Sequence, residues 1–374
     1  MTSGRPIRVA MTTPYFLPHT GGVEQHVAEV AARMTAAGEA TVSVLTTGAE
    51  EGLPARETMG GVVVHRHRAL PRGRDWLWAP GLGREIAAGD WDLVHVQSYH
   101  TLVAPIAMRA ARSAGLPYVV TFHGGGSSSV LRTRLRGAQR RMLRPLLRGA
   151  DALVAVAGFE AAVYGDELGL APDRFTLIPN GFDLPEPGPL PHDAPAGAPL
   201  IASVGRLEEY KGHQHAIAAM PAVLRTHPDA RLWIAGSGPY EPQLRAQIAT
   251  LGLQDHVTIH AVPPRSRAEM AARLAACDLV VLLSAFETHP VAVLEAIALG
   301  RPVLVAPGSG TGELADRGLA RAVDPHDPEA VAAAITRELR DPLRPGAADL
   351  PTWDGCAAAL LALYRTVLER RCAS

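Results

Sequence analysis

Cysteine is scarce in this chain. Cys277, Cys356 and Cys372 are far apart and odd in number, so they make neither a disulfide framework nor a metal-type cluster. A reducing cytoplasm fits such usage. An excess of charge of one sign is also missing, the formal net charge being −1 at pH 7. Phosphate-backbone binders usually carry a basic excess, which argues against nucleic acid as the main partner. No run of about 18 apolar residues occurs, so no membrane-spanning helix is expected. The opening MTSGRPIRVAMTTPYF holds too short an apolar run for a signal peptide, and IRVAM within it reads as a first strand. Fine internal repeats and low-complexity tracts are absent.

What is present is an ordinary globular composition, 47% hydrophobic and 20% charged over 374 residues. At the usual ~100–200 residues per domain, that length suggests two domains. Short apolar runs alternate with helical patterns. The first series is IRVAM (7–11), TVSVL (41–45), VVVHR (62–66), DLVHV (92–96), YVVTF (118–122) and ALVAV (152–156). The second is PLIASV (199–204), RLWIAG (231–236), VTIH (257–260), LVVLL (279–283) and PVLVA (302–306). Apolar strands separated by helices predict parallel sheets covered on both faces. Two series predict an α/β protein with two doubly wound sheets. The Pro- and Gly-rich stretch 181–198 holds the linker, placed at 183–198 between domains 1–182 and 199–352, and a helix over 353–374 follows all the strands.

Ligands of open parallel sheets bind beyond the carboxyl ends of the strands, so the loops leaving the strands are the candidates. After the first strand, Gly21 and Gly22 directly precede a helix, where backbone can approach an anion; a plain turn is the alternative. After YVVTF comes His123, followed by Gly124, Gly125 and Gly126. A histidine there can touch a substrate or can be a structural, hydrogen-bonded one. In SVGRLEEYKGHQ, Arg206 and Lys211 sit beside Gly205 and Gly212, a set suited to a diphosphate. Two solvated surface cations are the plain alternative. Gly236 and Gly238 make a Gly-x-Gly that lacks the third glycine of a dinucleotide fingerprint.

The stretch SAFETHPVAVLEAIALGRPVLVA (284–306) sets Glu287 and Glu295 eight positions apart. Proline suits the first helical position, so Pro290 is expected to start a helix. Glu287 then lies in the preceding loop, and Glu295 lies inside the helix. The free N–H groups of Val291 and Ala292 face the ligand and suit a diphosphate. Glu295 can reach ribose hydroxyls on one side of it, and Glu287 sugar hydroxyls on the other. One nucleotide-sugar explains both carboxylates better than a surface ion pair, because Glu295 stands among Val291, Val293, Leu294, Ile297 and Ala298.

Glu-x7-Glu followed by a Gly-x-Pro-Val strand resembles the retaining glycosyltransferases of family 4, the glycosyl transferases group 1, which have the GT-B fold. FHG (122–124), IPNGFD (178–183), GRLEEYKG (205–212), AGSGP (235–239) and GTGEL (310–314) stand in the same order, and the similarity covers nearly the whole chain. The resemblance implies two Rossmann-like domains facing a central cleft, with a last helix crossing back to the first domain. It implies that Arg206 and Lys211 hold the donor diphosphate and that Glu295 binds the ribose. Glu287 would hold the donor sugar, and His123 would face the reacting sugar. Gly21, Gly22, Gly205 and Gly236 would line the donor site, with the base near His260 and Val262. The donor would be a UDP- or GDP-sugar, with no metal and no other cofactor. Tyr15, Phe16, His19, Tyr99, His100 and Gly124 would meet the acceptor, a sugar, lipid-linked glycan or specialised metabolite.

One departure stands out: after Glu287 the family has a small residue, then Phe and Gly, where this chain has Thr288, His289 and Pro290. His289 is expected to add a donor to a phosphate or sugar. The Asp-x-Asp at 90–92 imitates a metal site but precedes its strand. Residues 131–148, with seven arginines and no acid, suit an anionic membrane or acceptor, or a solvated face. Three rivals share parts of the pattern. A sugar-nucleotide 2-epimerase would need more first-domain carboxylates than Glu24. A non-catalytic binding module and a nicotinamide-dependent oxidoreductase complete the list.

Overall fold

The computed structural model describes residues 5–19, 21–48, 52–70, 77–124, 139, 141–183, 186–194, 198–263, 266–346 and 350–373. The described residues of Met1–Gly124, Val130–Gly181 and Pro351–Ser374 form one compact unit, and Phe182–Leu350 form another.

The first unit is built on eight strands: β1 Ile7–Thr12, β2 Ala40–Thr47, β3 Arg56–Met59, β4 Val62–His67, β5 Leu93–Gln97, β6 Tyr118–Phe122, β7 Ala152–Ala155 and β8 Phe175–Leu177. Their spatial order is β3-β4-β2-β1-β5-β6-β7-β8. Every pair is parallel except β3 with β4. The sequence pattern missed β3 and β8. RETM alternates exposed and half-buried positions at the sheet edge, and FTL is three residues long, so neither has an apolar run. The inner strands β5 and β6 are buried at every position, as expected of a sheet covered on both faces.

The first unit's helices before the linker are α1 Gly22–Ala36, α2 Pro80–Ala88, α3 Val103–Ser113, α4 at residues 141–148, and α5 Gly158–Leu168. Leu82, Ile86, Val103 and Met108 pack on one face of the sheet against Val94, Val96 and Val120. Of the arginine-rich segment 131–148, residues 131–138 and 140 lie outside the described residues. In α4, Leu143, Leu146 and Leu147 are buried in that same core, while Arg141, Met142 and Arg148 are exposed. No described helix is long and apolar enough to cross a membrane.

The second unit has six parallel strands: β9 Leu200–Val204, β10 Arg231–Ala235, β11 Val257–Ile259, β12 Leu279–Leu282, β13 Val303–Val305 and β14 Arg321–Ala322. Their order is β11-β10-β9-β12-β13-β14. Helices α6 His213–Thr226, α7 Glu241–Thr250 and α11 Pro328–Arg340 contribute Ile217, Met220, Leu244 and Ile335 to one core. Helices α8 Arg267–Ala275, α9 Val291–Ala298 and α10 Ser309–Asp316 contribute Leu274, Val293, Leu294 and Leu314 to the other. The proline-rich stretch ahead of β9 lies on α8: Gly188 N–H donates to Ala268 O (3.2 Å), and Asp193 pairs with the buried Arg273 (2.6 Å).

The last helix, α12 Trp353–Ala373, belongs to the first unit. Trp353, Leu360, Leu361 and Tyr364 close the second face of its sheet together with Val27, Val30 and Met34 of α1. A side chain at Gly181 would run into the Trp353 backbone, so the glycine of NGFD admits this helix.

Both sheets reverse their winding at one strand. β1 is flanked by β2 and β5, and β9 by β10 and β12. Beside such a strand two crossovers leave in opposite directions, and a crevice opens at the carboxyl end. Packing of α12 generates a direct expectation. Trp353→Ala removes one of the largest buried side chains, so the first unit should lose roughly 3–5 kcal/mol. Urea unfolding followed by circular dichroism measures the loss; an unshifted transition would show that α12 adds nothing to this core.

Candidate active site

The second unit's switch point lies between β9 and β12, and the loops leaving those strands meet there. The β9 loop ends in a 3-10 turn, Glu209–Lys211, and then Gly212 at φ +77°. That left-handed conformation favours glycine, and a side chain there would also run into the Leu283 carbonyl. The close approach carries Lys211 onto the β12 loop. Lys211 Nζ donates to Glu287 Oε1 at 2.6 Å. The Ser284 hydroxyl lies 2.9 Å from the same oxygen and 3.1 Å from Lys211 O. Glu287 is only 9% exposed. Its backbone is held too: its N–H donates to Ser309 Oγ (3.1 Å), and its carbonyl accepts from Gly310 (2.8 Å). A side chain at Gly310 would run into the Thr288 carbonyl, so this glycine lets the first turn of α10 press on the loop.

Arg206 is largely exposed, with Glu208 at 3.1 Å and the Tyr210 hydroxyl at 3.0 Å. Its backbone is fixed by His213, whose Nε2 donates to Arg206 O (3.2 Å) while its Nδ1 accepts from the Ser203 hydroxyl (2.8 Å). Burial pushes the His213 ring down to about 4, so it is neutral at pH 7. Gly205 is beside this anchor. Gly236 is explained by packing rather than by a ligand, because a side chain there would run into the Gly205 carbonyl.

Pro290 caps α9 instead of opening it, one position earlier than expected, with φ −75° and ψ 106°. The first backbone bonds of the helix run from Val293 and Leu294 to Pro290 O. The N–H groups of Val291 and Ala292 come ahead of them, among the orphan donors of any helix start. Glu295 is buried in α9, and Arg267 of α8 donates to its Oε1. Burial raises the Glu295 carboxyl above the ordinary carboxylate value, and Arg267 works against that. Burial and nearby Arg317 push His289 down to about 4, so it is neutral and keeps one N–H donor. Among the described residues its Nδ1 has no hydrogen-bond partner. His260 is half-exposed with Asp193 at 3.9 Å, and its carbonyl accepts from Trp233 Nε1 at 3.1 Å. Val262 packs on the core beneath.

In the first unit His123 follows β6 and is 6% exposed. Its Nε2 donates to Gln97 Oε1 at 2.7 Å, and its carbonyl accepts from His100 Nε2 at 3.0 Å. Burial, with His26, His95 and His100 nearby, holds it well below the usual histidine range. It is therefore an uncharged ring. Behind it His95 bridges the Tyr364 hydroxyl of α12 (2.5 Å) and the Thr121 hydroxyl (2.7 Å), and His26 Nδ1 donates to Asn180 (2.9 Å). Gly124 N–H donates to buried Glu160 at 2.6 Å, and the other Glu160 oxygen accepts from Val156 N–H at 2.9 Å.

Two of the expected acceptor contacts are corrected by burial. Phe16 and Tyr99 are 3% and 0% exposed, and both are packed into the core, Tyr99 against Phe122 and Tyr164. Neither offers a ring face. Tyr15 and His19, with ring centres 5.2 Å apart, remain at the β1 loop. Gly21 caps α1 and Gly22 opens it, and the Glu24 carboxylate of the first turn lies against Gly21, where a side chain on that glycine would run into it. Asp90 and Asp92 are committed to arginines: Asp92 pairs with Arg5 (2.8 Å) and Arg8 (2.9 Å), and Asp90 with Arg8.

Sequence reasoning missed Ser284, Gln97, His213 and Arg267, which act only through contacts across the fold. It also passed over a compositional signal. Lys211 is the single lysine among 36 lysines and arginines, and it is the half-buried cation at the switch point.

The buried neutral histidines carry a pH consequence. His26, His213 and His289 sit at about 4 and His95 at about 3 in the folded chain, against ~6.5 when unfolded. Between those values the unfolded chain binds more protons, so stability is present above pH 6.5 and is lost as pH falls toward 4. Each such residue contributes on the order of 3 kcal/mol to that loss. Both units should therefore unfold at much lower urea at pH 5 than at pH 7.5. A midpoint unchanged across that range would contradict the burial of these rings.

The chain's likenesses agree with this geometry. Residues 20–186 match the family Glycosyltransferase Family 4, and residues 191–349 match Glycosyl transferases group 1. A D-inositol 3-phosphate glycosyltransferase of Nocardiopsis dassonvillei is 31% identical over 90% of this chain and 87% of its own length. Another, from Catenulispora acidiphila, is 30% identical over 97% of each chain. The sucrose-phosphate synthase of Thermosynechococcus elongatus shares the fold at TM-score 0.77 and 20% identity, covering 97% of this chain and 100% of its own. Anabaena HepE, solved with UDP and glucose, does so at TM-score 0.69 and 20% identity over 97% and 98%. With matched motifs in both units and relatives aligned along almost its full length, the chain belongs to the glycosyl transferases group 1 (family 4) and is a glycosyltransferase of GT-B fold.

Proposed function

We propose that the protein is a retaining glycosyltransferase that moves a hexose-type sugar from a UDP- or GDP-sugar to a hydroxyl of a glycan, lipid-linked or specialised-metabolite acceptor. The observation that carries this reading is the partly buried Lys211–Glu287 pair at the second unit's switch point, beside the start of α9. Breaking the bond between sugar and diphosphate puts negative charge on the leaving group and positive character on the sugar. Lys211, Arg206 and the N–H groups of Val291 and Ala292 stabilise the first, which makes a divalent metal unnecessary. Glu287 uses Oε1 to hold Lys211, and its other oxygen is the one offered to the sugar. Glu295 takes the ribose. His123, an uncharged ring, contacts the reacting sugar, and Tyr15, His19, His100 and Gly124 contribute to the acceptor side. The relatives named for an inositol phosphate acceptor and the HepE structure with UDP support a nucleotide-sugar donor and a polyhydroxylated acceptor. The reaction is assigned to the cytoplasm, with the basic segment 131–148 as a possible contact to an anionic membrane face.

Calorimetry with UDP and GDP tests the donor site. Charge-assisted hydrogen bonds are worth ~1.5–3 kcal/mol, so Arg206→Ala and Lys211→Ala should each weaken nucleotide binding roughly 10- to 100-fold. Unchanged affinity in both variants would remove the diphosphate from this loop. Transfer should persist in excess chelator, and strict dependence on manganese or magnesium would overturn the metal-free reading. Kinetics separate the two glutamates. Glu287→Ala should lower turnover about 100-fold, because its contact tightens as charge develops. Glu295→Ala should mainly raise the Michaelis constant for donor.

A further inference from the structure

We infer that Arg267 is a positioning residue for donor recognition, holding Glu295 as an anion with one oxygen left for the nucleotide's ribose diol. The inference rests on the reading of Glu295 as the ribose ligand. Glu295 is 3% exposed and stands in the strongly apolar helix VAVLEAIA. A carboxylate so placed needs a counter-charge, since burial alone favours its neutral, protonated form. Arg267 supplies it from the first position of α8, where one guanidinium nitrogen donates both to Glu295 Oε1 and to Asp183 O (3.0 Å).

No other charged group among the described residues takes that part. The elements packed most closely on α9 are α8, β12 and β13. β12 and β13 read LVVL and VLV and bring no charge. The other ionisable side chains of α8 are engaged elsewhere: Arg273 pairs with Glu269 (2.9 Å) and Asp193 (2.6 Å). Glu295 Oε2 makes no hydrogen bond among the described residues. A vicinal diol donates two hydrogen bonds, and only an ionised carboxylate accepts both without offering a competing proton. Arg267 thus does two things through Glu295. It sets the carboxylate's charge, and by taking Oε1 it leaves Oε2 as the diol's acceptor.

The test is nucleotide affinity against pH on the full chain, with UDP, GDP and their 2′-deoxy forms as probes. Dividing each variant's affinity by that of the wild type cancels titration of the nucleotide's own terminal phosphate, whose pKa is about 6. Without Arg267, Glu295 protonates toward neutral pH. Arg267→Gln should therefore bind nearly as the wild type at pH 8.5 and lose roughly 10-fold or more by pH 6, as a charge-assisted hydrogen bond to the diol disappears. Preference for the ribo over the deoxy form should fall in parallel. Arg267→Lys keeps the charge and should restore a flat ratio, which separates positioning from folding. Glu295→Gln should weaken binding equally at every pH and should erase the pH dependence when combined with Arg267→Gln. A pH-independent ratio for Arg267→Gln, with Glu295→Gln still weakened, overturns the role of Arg267 alone. Unchanged affinity in Glu295→Gln overturns the donor-site reading itself.

Discussion

One ammonium–carboxylate pair, Lys211 with Glu287, decides the arrangement of the second unit's carboxyl-end loops. Neither charge can be buried alone at tolerable cost, so each loop must deliver its partner. The glycines beside them follow from that demand. Gly212 lets the β9 loop touch the β12 loop at the Leu283 carbonyl, and Gly310 lets α10 press on Thr288. Ser284 and Ser309 then fix Glu287 by side chain and by backbone. The result is a cation and an acceptor set beside the start of a helix.

Both units bury polar groups in partnered sets. The second sets charge against charge, Lys211 on Glu287, Arg267 on Glu295, Arg273 between Glu269 and Asp193, beside the neutral rings of His213 and His289. The first gathers a cluster of neutral rings. His26, His95 and His123 are all held neutral by burial and hydrogen-bond to Asn180, Thr121, Tyr364 and Gln97. An uncharged network next to a histidine expected at the reacting sugar avoids a fixed positive charge where a glycosyl centre turns cationic. It also ties that histidine to α12 through Gln97, His95 and Tyr364, so α12 supports a loop more than two hundred residues earlier.

The glycines show why loop motifs are ambiguous when read alone. Gly205, Gly236 and Gly238 look like a phosphate cradle, yet a side chain at Gly236 or Gly238 would meet the backbone of Gly205 or Leu207. The Gly-x-Gly serves the contact between two loops of one unit. Gly21 likewise lies against the Glu24 carboxylate. Neither effect leaves a periodic trace, because both depend on which loops are neighbours in the sheet order.

Sequence alone determined the two α/β units and most strands, and it nominated Arg206, Lys211, Glu287, Glu295 and His123 as the chemical roster. These are legible because apolar period and strand-end position survive in one dimension. It missed β3, β8 and β14, which are short or polar. It set Pro290 one position late and gave Phe16 and Tyr99 a surface they do not have. Only the tertiary structure decided which charges meet. Lys211 lies 76 positions from Glu287 and Arg267 28 positions from Glu295. A pairing at such separations is set by strand order and helix packing, not by local pattern. Burial then decided protonation: the His123 ring, packed against Gln97, is held neutral.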